Sequence, residues 1–225
     1  MLNLYRSLLF VHIAFGTVGL VAFWFPIASK KGQRLHRKAG RIFLRCAYVV
    51  PGTAIAIATV TIADPFGTHP EDRPSSSTEV AATATAMRIS SVFLAYLALV
   101  TLASVHHGVR AMETKSNPAA IKTRFHTGLN ALAVASSLLV LVLGLTFGSP
   151  ALLALSPLGI YVGARALRYG RRPRKQRMSH WYEHMGSMIG GGIAFYTAFI
   201  VTGVQRFCLF RVGDCWGYCP GYFPE

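Results

Sequence analysis

Histidine is the residue type in this sequence that is best suited to chemistry. Eight histidines occur among the 225 residues, and six of them flank the basic segments between long apolar runs. These six are His36, His106, His107, His126, His180 and His184. Ionisable side chains at membrane depth are costly, so they are functional candidates by default. Imidazole binds zinc, copper and iron, and two facing histidines can hold a b-type haem.

These properties predict a histidine cluster that binds a transition metal or haem b for redox chemistry or sensing. The expected ligands are His180 and His184, joined by His106 or His107, with His36 and His126 as further candidates. His180 and His184 are one helical turn apart and therefore share a helix face. Glu183 lies on nearly the same face and is expected to orient a ligand histidine or to exchange a proton.

The segment from His180 to His184 also matches H-x-x-E-H, the inverted zinc-protease motif. The pattern is short, and the enzymes that carry it are larger soluble proteins. We therefore do not predict a protease, and the sequence assigns no other reaction.

Two other functions remain open. Protonatable histidines along a path would suit a proton- or ion-coupled transporter or channel, with His12 as a station in the outer half of the membrane. Alternatively, the histidines only cap helix ends or are solvated, and the chain is a lipid-interacting structural protein without a cofactor. The interfacial depth of the cluster weighs against haem, whose ligands usually lie deeper.

Composition and apolar runs predict the elements that position these residues. The chain is 52% hydrophobic and only 14% charged, whereas soluble domains carry about 25% charge. Six runs approach the roughly 20 residues that cross a bilayer as a helix. They span residues 4–27, 42–63, 86–105, 129–147, 151–167 and 184–204. We expect an all-α bundle of about six transmembrane helices over residues 1–207, followed by a short outer tail, 208–225, that contains cysteines.

Charge placement predicts the orientation of this bundle. Most of the 23 Lys and Arg residues lie in the segments after the first, third and fifth runs, and most carboxylates lie on the opposite side. The positive-inside rule places the basic segments in the cytoplasm, which gives an N-out/C-out protein of the cytoplasmic membrane. Its basic face would meet anionic lipid. No nucleic-acid-binding motif accompanies the net charge of +15, so we expect no nucleic-acid partner.

Three cysteines fall on the outer side in this topology. Cys208, Cys215 and Cys219 are candidates for a disulfide, because the outer compartment is oxidising. One of the three is left over, and their spacing does not choose the pair.

Short motifs at both ends of the chain resemble a bacterial inner-membrane family catalogued as domain of unknown function 2306. They are His12-Ile13-x-x-Gly16, Lys31-Gly32, His36-Arg37-x-x-Gly40-Arg41, Glu183-His184-Met185-x-x-Met188-Ile189-Gly190 and Thr197-Ala198-Phe199. The resemblance implies a polytopic membrane protein with no established activity and marks His12, His36 and His184 as positions of interest. The cysteine-bearing tail does not match the family pattern.

Overall fold

The computed structural model describes the backbone of residues 1–171 and 178–211, and the side chains of residues 1–171 and 178–200 except that of Pro118. Regular structure in these ranges is helical throughout. The helices are α1 (Leu2–Ala28), α2 (Arg34–Ala63), α3 (Pro65–Thr68), α4 (Ser77–Glu113), α5 (Arg124–Phe147), α6 (Pro150–Tyr169) and α7 (Ser179–Arg211). Single 3₁₀ turns occur at Pro70–Asp72 and Pro118–Ile121. The expected all-α class is confirmed.

Five of the described helices, α1, α2, α4, α5 and α6, are long and apolar enough to cross a bilayer. Their outward faces carry large apolar side chains such as Phe10, Ile13 and Leu145, of which 74%, 57% and 67% is exposed. Apolar surface exposed in this way favours aggregation in water but is usual where a helix contacts lipid tails. The helices therefore indicate a membrane protein.

Several helices extend beyond the predicted apolar runs. α4 has 37 residues, which corresponds to about 55 Å of helix against roughly 30 Å of hydrocarbon. α4 is therefore longer than the apolar layer is thick, and His106 and His107 lie about two turns before its end at Glu113. α7 continues to Arg211, so that Cys208 lies on this helix rather than in a separate tail.

The connection between α5 and α6 is short because of two residues with fixed backbone preferences. Gly148 ends α5 with a φ of 62°, a left-handed conformation that favours glycine, and Pro150 begins α6. The two helices then run back along each other in close contact. An ideal Cβ at Gly159 would lie 2.8 Å from the carbonyl oxygen of Ala133, and one at Gly163 would lie 2.6 Å from that of Asn130.

α6 contains Pro157, which lacks the N–H that would normally bond to the carbonyl of Leu153. The hydroxyl of Ser156 donates to that carbonyl at 3.1 Å. The buried hydroxyl of Tyr96, on α4, lies 2.8 Å from the carbonyl oxygen of Leu155 and accepts from the backbone N–H of Gly159 at 3.0 Å. Neighbouring side chains therefore satisfy the backbone around the proline, as a helix in lipid requires.

We expect Gly159→Ala to lower the stability of the bundle, because the added methyl group would collide with the backbone of α5. Overpacking of this kind costs about 1–3 kcal/mol. The matched control is Gly128→Ala on the exposed face of α5, where an added Cβ meets nothing within 4 Å. Thermal unfolding of the purified variants in detergent measures both. Equal midpoints for the two variants would contradict the close contact.

Candidate functional site

A buried polar network lies at one end of the bundle, which we call the basic end. Here α1, α4 and α6 end, and α2, α5 and α7 begin. His107, only 3% exposed, lies at the centre of the network. Its Nδ1 is 3.1 Å from Nε2 of His126 on α5, and its Nε2 is 3.2 Å from Oε2 of Glu183 on α7. Both ring nitrogens of His107 thus contact protonatable groups on other helices.

Glu183 has a second partner on α6. The guanidinium of Arg165 lies 3.0 Å from the same carboxylate oxygen that accepts from His107. The side chain of Glu183 is 17% exposed and that of Arg165 is 39% exposed. A mostly buried carboxylate has to be paired, and here it is paired twice. We call Arg165, Glu183, His107 and His126 the His–Glu–Arg network.

The positions of hydrogen atoms in this network follow from its chemistry. An ionised Glu183 can only accept, so Nε2 of His107 donates to it. Nδ1 of a neutral His107 then accepts from Nε2–H of His126, whereas an imidazolium at His107 would donate to His126 instead. The two arrangements use the same heavy-atom contacts. They differ by one added proton and by the proton of His126, which moves from Nε2 to Nδ1 so that Nε2 can accept. The network can therefore hold an added proton without losing a hydrogen bond.

Local packing brings these side chains into contact. Gly108 follows His107 and lets α7 approach, because an ideal Cβ at Gly108 would lie 2.7 Å from Cβ of Ser187. Gly163 does the same between α5 and α6, two residues before Arg165. Small residues at such crossings are the usual means of close helix packing in membranes. The chemistry therefore depends on two glycines that carry no functional group.

His126 is held in the first turn of α5 by its own backbone. The side chain of Thr123 caps this helix and accepts from the N–H of His126 at 3.1 Å. The amide of Asn130, which is fully buried, donates to the carbonyl of His126 at 2.7 Å. The ring of Tyr169 lies edge-on to His107, with centroids 5.4 Å apart. These contacts fix the positions of His126 and of the His107 ring from the α5 and α6 sides.

His106 lies on a different side of α4 and links the site to α2. Its Nδ1 is 2.9 Å from the hydroxyl of Tyr48. Its ring packs against Phe125 and His126, with centroid distances of 5.0 and 5.9 Å. Its Nε2 is buried and has no hydrogen-bond partner among the described residues.

The other predicted histidines have separate partners. Nδ1 of His184 is 3.0 Å from the carbonyl oxygen of Gly108, and that of His36 is 3.0 Å from the carbonyl oxygen of Pro26. His12 lies 3.1 Å from the hydroxyl of Thr53. Nδ1 of His180 is buried without a partner among the described residues. The basic end thus brings together three of the six predicted histidines with Glu183.

The predicted metal ligands are not assembled in the part of the chain that the structure describes. No group of three or more His, Cys, Asp or Glu residues there is arranged to hold a metal ion. Glu183 points to His107 and Arg165 while His184 bonds to α4, so the H-x-x-E-H residues do not act on one centre. His107 and His126 are in direct hydrogen-bond contact, which leaves no space for a macrocycle between them.

The cysteine prediction lies largely outside the described residues. Cys215 and Cys219 are not described, and the side chain of Cys208 is not described either. The possible disulfide therefore stays a prediction. Cys46 is buried and free on α2.

Arg165, Tyr48 and Thr123 belong to the site but were not singled out from the sequence. Arg165 lies at the end of a short apolar run, where an arginine usually anchors a helix at the membrane interface. The signal that points to it is Glu183, one of few carboxylates among the basic segments, because a carboxylate next to an apolar run needs a cationic partner.

No family model, curated protein or solved structure matches this chain. The resemblance to the inner-membrane family of unknown function therefore stays a prediction.

We expect Glu183→Gln to destabilise the protein by roughly 1.5–3 kcal/mol, the usual worth of a hydrogen bond to a charged group. Glu113→Gln is the matched control, because the Glu113 side chain is 54% exposed and its ion pair within the described ranges is with Arg110 on its own helix. Exposed pairs contribute about 0–1 kcal/mol. Thermal unfolding in detergent compares the two, and an equal or larger loss for Glu113→Gln would refute the structural importance of the network.

Proposed function

We propose that this chain is a proton-coupled transporter or channel whose His–Glu–Arg network takes up and releases the proton. The observation that carries this proposal is His107, which is 3% exposed and contacts His126 through one ring nitrogen and Glu183 through the other. Buried ionisable residues in membrane proteins typically form proton relays or ion paths. Because Arg165 is 39% exposed, the network also has a side open to the surroundings of the bundle.

A change of protonation at His107 would act on four helices at once. Its two contacts join α4 to α5 and α7, and Glu183 joins α7 to α6 through Arg165. An added proton gives His107 a positive charge, so that Glu183 then has two cations beside it, His107 and Arg165. It also reverses the direction of the hydrogen bond between His107 and His126. His106 and Arg110 act electrostatically on His126, Tyr48 contacts His106, and the ring of Tyr169 lies against His107. Such a charge change can bias the packing of helices in a two-state element.

The same proposal includes six spans with both ends of the chain outside, in the cytoplasmic membrane of a bacterium. α7 would be the sixth span. The cationic segments then face the cytoplasm, including Lys30–Arg45 and the residues that follow α6. The His–Glu–Arg network would lie near the cytoplasmic surface.

Single cysteines can test this topology. In a background whose four native cysteines are serine, we expect Ser75→Cys, before α4, to react with a membrane-impermeant maleimide in intact cells. Ser116→Cys, after α4, should react only after the membrane is permeabilised, because the positive-inside rule places it in the cytoplasm. Protection at Ser75 with labelling at Ser116 would mean the opposite orientation.

Proton movement can be measured in liposomes that contain the purified protein and an entrapped pH-sensitive dye. Na⁺, K⁺ and Cl⁻ are present on both sides to supply a coupling ion. Proton movement is started by making the external solution more acidic than the interior. We expect faster internal acidification than in protein-free liposomes. His107→Gln and Glu183→Gln should slow it at least about tenfold, because each removes a group that carries the proton.

Two controls separate chemistry from folding in that experiment. His69→Gln alters a histidine bound to Tyr5, outside the network, and should keep the wild-type rate. Gly159→Ala weakens the bundle without touching the network and reports the effect of lost stability alone. Wild-type liposomes that acidify no faster than empty ones, or network variants with the wild-type rate, would contradict the proposal.

A metal or haem site is the second candidate function. Nε2 of His106 and Nδ1 of His180 favour it, since both are buried without a partner among the described residues and imidazole nitrogens are good metal ligands. An absorption spectrum and elemental analysis of the same protein preparation distinguish the candidates. A Soret band supports haem, and stoichiometric metal without that band supports a metal site. If both are absent and no proton flux occurs, a structural role in the lipid bilayer is favoured.

A further inference from the structure

An open apolar groove runs between α1 and α2 close to the basic end. It has a volume of about 360 Å³ and is lined mainly by Val18, Val21 and Phe25 on α1 and by Ala39 and Ile42 on α2. Ligand pockets in proteins range from about 300 to 1,000 Å³. The groove is therefore large enough to hold part of a ligand rather than a single side chain.

The lining of the groove selects its occupant. Val18, Val21 and Phe25 are 50%, 58% and 49% exposed, and they follow two turns of α1 over roughly 10 Å. Thr17 brings the one hydroxyl, which already donates to the carbonyl of Ile13 at 2.9 Å. A peptide or a sugar would find no polar group to bond there. A hydrocarbon chain needs none.

Three cationic side chains of α2 lie near the apolar groove. Lys38 lies one turn before Ile42 and Arg45 lies one turn after it. Arg41 is three residues after Lys38, so these two side chains are neighbours on the helix, and all three cations are exposed. None of them takes part in the ion pairs of the described residues, which involve Glu113 and Glu183. Their charge is therefore available to a ligand.

Lys31 has a different role in the connection between α1 and α2. Its ammonium donates to the carbonyls of Pro26 and Ile27 at 2.8 and 2.9 Å, so it caps the end of α1. Nδ1 of His36 lies beside the same carbonyl of Pro26. The end of α1 is thus fixed beside the start of α2, which keeps the groove and its flanking cations in register.

We propose that this groove binds one anionic phospholipid, with an acyl chain along Val18, Val21 and Phe25 and the phosphate at Lys38 and Arg41. α1 and α2 are antiparallel, and Pro26 lies close to Gly40, so Lys38 is level with the end of α1. The long side chain of Arg41 can extend toward the same level. A single lipid molecule satisfies both the apolar groove and the cations beside it. This inference is independent of proton movement.

Trp24 allows a direct measurement, because it is 56% exposed and lies one helical turn after Val21 of the groove. The other two tryptophans are replaced in a Trp181→Phe, Trp216→Phe background. The protein in detergent is titrated with brominated phosphatidylglycerol or brominated phosphatidylcholine, and bromine quenches Trp24 when the lipid lies beside it. We expect saturable quenching that occurs at a lower mole fraction of phosphatidylglycerol than of phosphatidylcholine.

Matched double variants test the headgroup contact. Lys38→Gln with Arg41→Gln should weaken phosphatidylglycerol binding about fivefold for each cation removed, with little effect on phosphatidylcholine. Arg168→Gln with Arg171→Gln removes the same charge from exposed positions at the end of α6 and should leave the preference intact. A groove-filling Val21→Phe variant should weaken the binding of both lipids.

Three results would overturn the proposal. The first is equal quenching by the two lipids in the unaltered background. The second is an equal loss of preference in both double variants, which would mean a general surface charge rather than a site. The third is unchanged lipid binding in the Val21→Phe variant, which would place the acyl chain elsewhere.

Discussion

A carboxylate that is mostly buried among apolar helices has to be compensated by groups on the helices around it, and Glu183 imposes this requirement on the basic end of the molecule. His107 and Arg165 meet it from α4 and α6. Because His107 also contacts His126, the requirement extends to α5. One ionised side chain thus sets the relative positions of four helices.

The glycine contacts act together with this electrostatic constraint. In lipid, helices gain little from burying apolar surface against each other, so close backbone approach and hydrogen bonds supply the specificity. Gly108 brings α7 to α4, and Gly163 brings α6 to α5. A hydrogen bond weakens steeply beyond its usual length, so the contact of Glu183 with His107 exists only because α7 approaches α4 this closely. Packing and polar chemistry here are two parts of one arrangement.

The sequence predicts the helices better than it predicts the site. An apolar run must be helical in lipid, because the backbone has no other way to satisfy its hydrogen bonds there. An apolar run does not show where its helix ends. The predicted run of 86–105, for example, is the middle of α4, which extends from Ser77 to Glu113. His106 and His107 differ by about 100° around this helix. Their side chains therefore meet different neighbours, Tyr48 in one case and Glu183 in the other.

Pairings between helices depend on the order of the helices in the bundle, which no local pattern encodes. His180 and His184 were expected to act together because they share a face of α7. Instead, Glu183 enters the network while His184 bonds to the backbone of α4. Arg165 could be recognised only by asking which cation compensates Glu183. The chemistry of the residues was readable from the sequence, but their partners were not.

The proposed proton-dependent function gives α4 a particular place in the molecule. This helix holds α7 through His107 and holds the proline-containing part of α6 through Tyr96. Proline positions are where helices bend, and here the hydroxyl of Tyr96 substitutes for bonds that a regular ladder would make. A proton added at His107 alters contacts at the basic end. The hydrogen bonds of the Tyr96 hydroxyl to α6 near Pro157 lie about three turns away along α4. The long side chain of Arg165 can then follow Glu183, while α6 itself stays packed against α4 and α5.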